Sequence, residues 1–265
     1  MPFADRAGTR LYWDEQGSGE PLLLIMGLGY THEMWHRSTP VMRRHFRTIL
    51  FDNRGVGESD RPPGPYSIAS MADDAAAVLD AAGAPGAHIF GVSMGGMIAQ
   101  EFALQYPRRV RSLVLGCTAC GGPRAERAEK EAMDAIKARA AMTVEEGVRA
   151  ALPFIYDPHT PSERIEEDLA IRRRTYPEGA AYQAQLAAIL AWQSYDRLPR
   201  IQVPTLVIHG ETDRLVPPGN AKVIAERIPG ARLVLIPRAS HLFVTDQPEA
   251  AHAAILEFLG RHPES

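Results

Sequence analysis

A serine, an aspartate and a histidine stand in this order, each in a short loop that follows a predicted strand. They are Ser93 in the segment GVSMG, Asp213 in HGETD and His241 in SH. A serine hydroxyl attacks a carbonyl efficiently only when a histidine takes its proton, and the histidine needs a carboxylate that fixes its tautomer. The residue types and their order therefore predict acyl-transfer chemistry through a Ser–His–Asp triad.

The segment around Ser93 predicts a sharp turn from a strand into a helix. A strand is expected over Ala87–Phe90 and a helix over Met94–Tyr106. Glycines at 91 and 95 leave room for the chain, so the hydroxyl is held above the sheet edge, where a helix N-terminus favours developing negative charge. The alternative is a tight turn with a capping serine. Because strand and helix flank the motif, we interpret Ser93 as the nucleophile.

Other residues compete for the remaining two roles. Glu211 lies two positions before Asp213, and the segment Leu215–Pro217 after Asp213 makes Asp213 the better fit. Three further histidines are alternatives to His241, namely His88, His209 and His252. Only His241 combines a loop after a strand with a position after both the serine and the aspartate. We therefore expect Asp213 and His241 to complete the triad.

Apolar runs and turn residues predict alternating strands and helices around these loops. Predicted strands are Leu11–Trp13, Pro21–Ile25, Thr48–Phe51, Ala87–Phe90, Val110–Leu115, Thr205–Ile208 and Leu233–Ile236. Predicted helices are Glu33–His45, Ser67–Ala82, Met94–Tyr106, Gly219–Ile228 and Pro248–Leu259. The alternation predicts an α/β fold with a mostly parallel sheet flanked by helices, and active sites in such sheets lie at the carboxyl ends of the strands.

The alternation stops between residues 121 and 192, where Ala, Glu and Arg dominate and no strand is predicted. This predicts a helical lid over residues 121–192, inserted into a core formed by residues 1–120 and 193–265. Large apolar residues are candidates for a substrate pocket under the lid, and they are Trp35, Met142, Phe154 and Trp192.

Composition limits the classes of function. The chain has 265 residues, 45% of them hydrophobic, and a formal charge of −3, so no general field attracts nucleic acid or anionic lipid. No apolar run approaches the ~20 residues that span a bilayer, and the first residues do not read as a leader, so we expect a cytoplasmic protein without a membrane partner. Two cysteines, Cys117 and Cys120, are too few for a disulfide framework, and we interpret them as packing residues.

On these motifs the chain resembles the α/β-hydrolase superfamily over essentially its whole length. The matching segments are IMGLG at 25–29, FDNRGVGESD at 51–60, the Gly91–Gly96 turn, HGETD at 209–213 and SH at 240–241. Segments 61–74 and 93–100 are similar to those of 3-oxoadipate enol-lactonases and nearby lactonases and esterases. Serine at position 93 argues against dehalogenases and epoxide hydrolases of this superfamily.

The resemblance implies an oxyanion hole and a mechanism. Backbone N–H groups of Leu28 and Met94 are expected to donate to the oxyanion, although Met26 stands where many relatives have histidine. Arg54 is expected to tie its loop to neighbouring backbone. No metal or organic cofactor is implied.

We expect a serine hydrolase that cleaves a carboxylic ester or lactone of a small molecule through an acyl-enzyme on Ser93. Alternatives from the same fold are a carbon–carbon bond hydrolase or cofactor-free perhydrolase with the same triad, and a non-catalytic ligand-binding relative. The sequence leaves monomer and homo-oligomer open.

Overall fold

A single eight-stranded sheet forms the centre of the protein, for which the computed structural model describes residues 2–262. Its strands are β1 (Phe3–Arg6), β2 (Thr9–Gln16), β3 (Pro21–Ile25), β4 (Arg47–Phe51), β5 (Ala87–Val92), β6 (Val110–Gly116), β7 (Thr205–Gly210) and β8 (Arg232–Ile236). They lie in the order β1-β2-β4-β3-β5-β6-β7-β8. The pairs β1–β2 and β2–β4 are antiparallel, and all other neighbouring strands are parallel.

Helices cover both faces of the sheet and form an insertion between β6 and β7. They are α1 (Thr39–Met42), α2 (Ile68–Ala81), α3 (Met94–Gln105), α4 (Lys130–Ala138), α5 (Val144–Ala150), α6 (Leu152–Ile155), α7 (Ser162–Arg174), α8 (Gly179–Ala191), α9 (Gly219–Arg227), α10 (Phe243–Asp246) and α11 (Pro248–Leu259). Within residues 2–262 no helix is long and apolar enough to cross a bilayer.

Successive side chains of β3 show how the sheet is buried on both faces. Leu23 and Ile25 pack in one apolar cluster with residues of α2 and α3, whereas Leu22 and Leu24 pack in a second cluster with residues of α11. Alternate residues of a strand point to opposite faces, so a strand covered on both sides needs apolar residues throughout. This explains why the predicted buried strands lack the polar alternation of a half-exposed strand.

All seven predicted strands are present, and the predicted α/β class with a mostly parallel sheet is confirmed. Strand β1 is additional. The predicted helix Glu33–His45 is wrong, because the segment holds a short 3-10 helix, His32–Trp35, and the four-residue α1. Pro40 has no N–H for a helical bond to the carbonyl of residue 36, so one continuous helix cannot form there.

The segment between residues 121 and 192 holds the five helices α4–α8, and we call it the helical insertion. Its two ends meet, since Gly121 and Gln193 form an isolated bridge and the Ser194 N–H donates to the Cys120 carbonyl at 2.8 Å. The insertion therefore leaves and rejoins the sheet at adjacent points beyond β6. Its role as a lid stays a prediction.

Candidate active site

Ser93 occupies a turn of one residue between β5 and α3, with φ of +55° and ψ of −122°. Its N–H donates to the Gly116 carbonyl at 2.9 Å, and its own carbonyl accepts from the Thr118 hydroxyl at 2.7 Å and the Gly96 N–H at 2.9 Å. A non-glycine residue at this positive φ is strained and persists only where its surroundings fix it. These backbone bonds supply that constraint and hold the serine at the carboxyl edge of the sheet.

The two glycines on either side of Ser93 are required by close approach of backbone. A Cβ at Gly91 would lie 2.1 Å from the Gly95 carbonyl oxygen, and a Cβ at Gly95 would lie 2.1 Å from that of Ile25. No larger residue fits either position without moving the turn. The sequence pattern at 91–95 thus follows from packing of α3 onto β5 and β3.

Asp213 and His241 meet in the loops that follow β7 and β8. The distance from His241 Nδ1 to Asp213 Oδ2 is 2.8 Å, and both side chains are buried. The carboxylate is an acceptor, so Nδ1 carries the hydrogen and Nε2 is left with a lone pair.

The remaining contacts of Asp213 stabilise the ionised form of its carboxylate. Its Oδ1 accepts from the N–H groups of Leu215 at 2.9 Å and Val216 at 2.8 Å. Burial acts to raise the pKa of Asp213, but the charge of His241 and the hydrogen bonds from His209 and His241 lower it to about 2. The carboxylate is therefore ionised at neutral pH, and the His241 tautomer is fixed.

The competing residues occupy other positions. His209 Nε2 donates to the Val216 carbonyl at 2.7 Å and lies 3.2 Å from Asp213 Oδ2, so it supports the carboxylate from behind. His88 bridges Ser112 and Glu20, His252 contacts Ser38, and Glu211 is exposed. None of these four residues is among the described lining of the cavity that contains Ser93.

Ser93 and His241 line the same cavity, which has a volume of about 120 Å³ and a mostly apolar lining from the core and the helical insertion. Leu28 and Met94, the two residues whose N–H groups are expected to form the oxyanion hole, line it as well. Gly27 packs directly against the nucleophile, since a Cβ there would lie 3.1 Å from the Ser93 Cβ. The structure thus brings together all five residues expected in the reaction centre.

Two buried amides hold the loop after β3, and the sequence analysis did not single them out. Asn53 donates to the Met26 carbonyl at 2.9 Å. Gln185, on α8, accepts from the Gly29 N–H at 2.9 Å and donates to the Arg54 carbonyl at 2.8 Å. Nothing in the sequence separates these amides from surface ones, because their partners are backbone atoms distant along the chain.

The four apolar residues expected in the pocket lie outside the cavity lining. Trp35 packs against Phe90 with ring centroids 4.9 Å apart, in the apolar cluster that also contains Leu22 and Leu24 of β3. Trp192 donates its Nε1–H to Glu101 at 2.7 Å, Phe154 lies under Arg214, and Met142 is half-buried beyond the turn after α4. Residue type does not show in which direction a side chain points. The prediction that these four residues line the substrate pocket is therefore wrong.

Two further expectations are refined by the contacts. Arg54 ties its loop to a side chain rather than to backbone, because it pairs with the buried carboxylate of Asp74 through two bonds of 2.6 Å.

Cys117 and Cys120 are free and buried, and burial raises the pKa of both thiols. Potential ligand atoms of Cys117, His209 and Asp213 lie within 4.8 Å of one another, and this proximity reflects the packing around the Asp213 carboxylate.

A second buried carboxylate, Asp246, supports the loop of His241 from the side of the insertion. It accepts from the Ser240 N–H at 2.6 Å, the Asp157 N–H at 3.3 Å and the Thr160 hydroxyl at 2.6 Å. Burial raises its pKa to about 6, despite these hydrogen bonds. The position of His241 therefore depends on contacts with residues 157–160.

Comparison with known proteins gives the same class as the geometry. The sequence model of the α/β-hydrolase fold family matches residues 20–153 and 161–248. A protein from Azorhizobium caulinodans, named as the carbamate hydrolase RutD, is 35% identical over 264 residues, covering 98% of both chains.

Solved structures agree with this assignment. The enol-lactonase from Burkholderia xenovorans LB400 superposes with a TM-score of 0.87 at 27% identity, over 98% of this chain and 100% of the other. A thermophilic esterase from Thermogutta terrifontis gives 0.84 at 31% identity, over 99% of each chain.

The chain belongs to the α/β-hydrolase fold family. Within that family it is a hydrolase, and its similar proteins include an esterase and a lactonase.

Proposed function

We propose that the protein hydrolyses a carboxylic ester or lactone of a small molecule through an acyl-enzyme on Ser93. The observation that carries the proposal is the His241–Asp213 hydrogen bond of 2.8 Å, because His241 lines the same cavity as a serine on a strained strand-to-helix turn. An imidazole with a fixed Nδ1–H and a free Nε2 is the base that a serine hydroxyl requires.

The proposed reaction has two halves. Ser93 Oγ attacks the carbonyl while His241 Nε2 takes its proton, and the ionised Asp213 stabilises the imidazolium. Backbone N–H groups of Leu28 and Met94 donate to the oxyanion. His241 then protonates the leaving alkoxide and activates a water that hydrolyses the acyl-enzyme. Each step uses groups of this chain and water alone.

We further propose that the helical insertion acts as the lid of this site. The cavity lining includes Met133, Ile136, Ala151, Leu186 and Ile189 of the insertion. Removing bulk water from a site strengthens the hydrogen bonds to a developing oxyanion. The insertion would therefore select the substrate and assist the reaction.

The test is covalent labelling followed by a substrate screen. After incubation with a fluorophosphonate, intact-mass spectrometry and peptide mapping should show one adduct, on Ser93. Ser93→Ala should take no label and lose turnover of short 4-nitrophenyl esters and small lactones. Ser240→Ala is the matched control, because the Ser240 hydroxyl only contacts backbone carbonyls, at 3.4 Å, and this variant should still be labelled.

The outcomes separate the alternatives. Labelling with turnover of esters or lactones supports the proposal. Labelling without turnover of any ester, lactone or carbamate would favour carbon–carbon chemistry or ligand binding. Equal labelling of the unaltered protein and Ser93→Ala would exclude Ser93 as the nucleophile.

A further inference from the structure

One arginine of the helical insertion faces the cavity of Ser93. Arg139 begins the 3-10 turn Arg139–Ala141 that follows α4, and it lines the cavity together with Ser93 and His241. Among the described lining residues it is the only Arg, Lys, Asp or Glu. The cavity therefore combines apolar walls with a single permanent charge.

The guanidinium of Arg139 is buried without a counter-ion. The residue is 3% exposed, and its Nε and Nη2 have no hydrogen-bond partner within residues 2–262. No described carboxylate forms an ion pair with it. Buried charges in proteins are normally paired, because an unpaired one carries a large desolvation cost. Arg54 is paired with Asp74 in that way, whereas Arg172, which is also buried, has no hydrogen-bond partner within residues 2–262 and does not line the cavity.

Three tyrosine rings surround the charge, but the Nε and Nη2 donors of the guanidinium keep no hydrogen-bond partner within residues 2–262. The Arg139 Cζ lies 5.2 Å from the ring centre of Tyr30, 5.0 Å from Tyr176 and 5.1 Å from Tyr182. Such contacts stabilise a cation through the ring faces. They do not replace hydrogen-bond acceptors in the plane of the guanidinium, which five N–H groups require.

The tyrosine hydroxyls fix the turn on which Arg139 stands. Tyr176 donates to the carbonyl of Arg139 at 3.0 Å, and Tyr182 donates to that of Ile136 at 3.1 Å. Burial acts to lower the pKa of Arg139, but the three tyrosines raise it above its ordinary value. The cation is thus permanent and held in place before any ligand is present.

We propose that Arg139 binds a carboxylate of the substrate, so that the ester or lactone cleaved at Ser93 carries a carboxylate apart from its reacting carbonyl. The inference rests on the proposed function and names its substrate class. A carboxylate offers two coplanar oxygens that match two N–H donors of one guanidinium. One guanidinium in an otherwise apolar lining fits a monoanion.

The competing interpretation is that Arg139 only supports the packing of three tyrosines. That role predicts loss of stability and an equal loss of activity on every substrate when the arginine is replaced. Recognition of a carboxylate predicts a loss confined to anionic substrates. The two interpretations therefore differ in substrate preference, which can be measured.

The experiment compares two esters of matched size. One is the mono-4-nitrophenyl ester of adipic acid, and the other carries a primary amide in place of its free carboxylate. For the unaltered protein we expect kcat/KM to favour the anionic ester by about 10- to 100-fold, the effect of a charge-assisted hydrogen bond. Equal or better turnover of the neutral ester would overturn the proposal.

Three variants locate the preference. Arg139→Met should remove it, chiefly through KM for the anionic ester, while kcat/KM for the neutral ester stays within about threefold. Arg139→Lys should restore part of it, because the charge returns without the paired donors. Arg172→Met is the matched control, since Arg172 is also buried against Tyr30, at 5.4 Å, but does not line the cavity. It should retain the full preference.

A binding measurement separates failure of this inference from failure of the proposed function. In the Ser93→Ala variant, which is expected to turn over no ester, monomethyl adipate should bind in calorimetry and dimethyl adipate at least tenfold more weakly, and adding Arg139→Met should abolish the difference. Turnover of the neutral ester at Ser93 without any anion preference would leave the hydrolase proposal standing and reject the role of Arg139. Anion binding at Arg139 without turnover of any ester or lactone in the screen would reject the hydrolase proposal and keep the anion site.

Discussion

The Asp213 carboxylate at the strand ends and two buried arginines of the helical insertion differ in how their charges are paired. Around Asp213, every carboxylate oxygen accepts from backbone N–H groups or a histidine. In the insertion, Arg139 and Arg172 are equally buried, yet guanidinium nitrogens of both have no partner within residues 2–262. The Asp213 carboxylate has its hydrogen-bond partners without a ligand. In the insertion, two buried arginines keep donors without a partner in the described part of the chain, and one of them, Arg139, lines the cavity.

The largest effect is expected from Asp213→Asn, which tests the role of the hydrogen-bonded carboxylate at the strand ends. We expect kcat to fall by about 10⁴-fold, because an amide nitrogen facing His241 favours the wrong imidazole tautomer. Steady-state kinetics on the best ester would measure the loss, with circular dichroism to check the fold. Glu211→Gln is the matched control and should retain full activity, since Glu211 is exposed. Comparable losses in both variants would contradict the assignment of Asp213.

The second prediction compares a paired with an unpaired buried arginine. Arg54→Met leaves the buried Asp74 carboxylate without its partner and should lower the free energy of unfolding by about 3–5 kcal/mol. Arg172→Met removes a buried guanidinium whose three nitrogens are all unpartnered within residues 2–262, so the free energy of unfolding should rise, or fall by less than about 1 kcal/mol. Urea unfolding would measure both. A large loss for Arg172→Met would show that its charge contributes stability despite the absence of a partner.

The third prediction concerns Asp246, the carboxylate between the two regions. Burial raises its pKa to about 6, so the folded protein keeps this proton where the unfolded chain has already lost it. The free energy of unfolding should therefore fall as pH rises from about 4 to about 6, by at most ~3 kcal/mol from this group.

Asp246→Asn isolates that contribution. The amide can accept from the Ser240 N–H and donate to the Thr160 hydroxyl, so the variant should be insensitive to pH in this window relative to the unaltered protein. Glu249→Gln, at an exposed carboxylate nearby, is the control and should leave the pH dependence unchanged. Parallel curves for the unaltered protein and Asp246→Asn would contradict the raised pKa.

The sequence predicts the sheet and the reaction centre because both depend on local rules. Strands buried on two faces must be apolar throughout, as β3 and β7 are, and the carboxyl ends of parallel strands meet at one edge. Loops carrying Ser93, Asp213 and His241 had to converge once those strands were assigned. Gly91 and Gly95 also made the turn recognisable in the sequence, because only glycine fits at these two positions.

The residues that line the cavity could not be predicted from these local rules. Helical spacing in the insertion indicates a buried face, but it does not give the direction in which that face points. Trp192 turns to Glu101 and Met142 lies beyond the cavity, whereas Arg139 faces it. The sequence did not distinguish Arg139 from the other arginines of the insertion. What sets it apart is that it lines the cavity while its Nε and Nη2 have no hydrogen-bond partner within residues 2–262.

Gln185 joins the helical insertion to the core beside the candidate site. Its amide joins α8 of the insertion to the Gly29 N–H and the Arg54 carbonyl, in the core loops that follow β3 and β4. A displacement of α8 by more than the length of a hydrogen bond must break both contacts. The helical insertion and the loop after β3 are thus joined through one side chain, so a movement of α8 away from the core would also release the Gly29 N–H beside the expected donor Leu28.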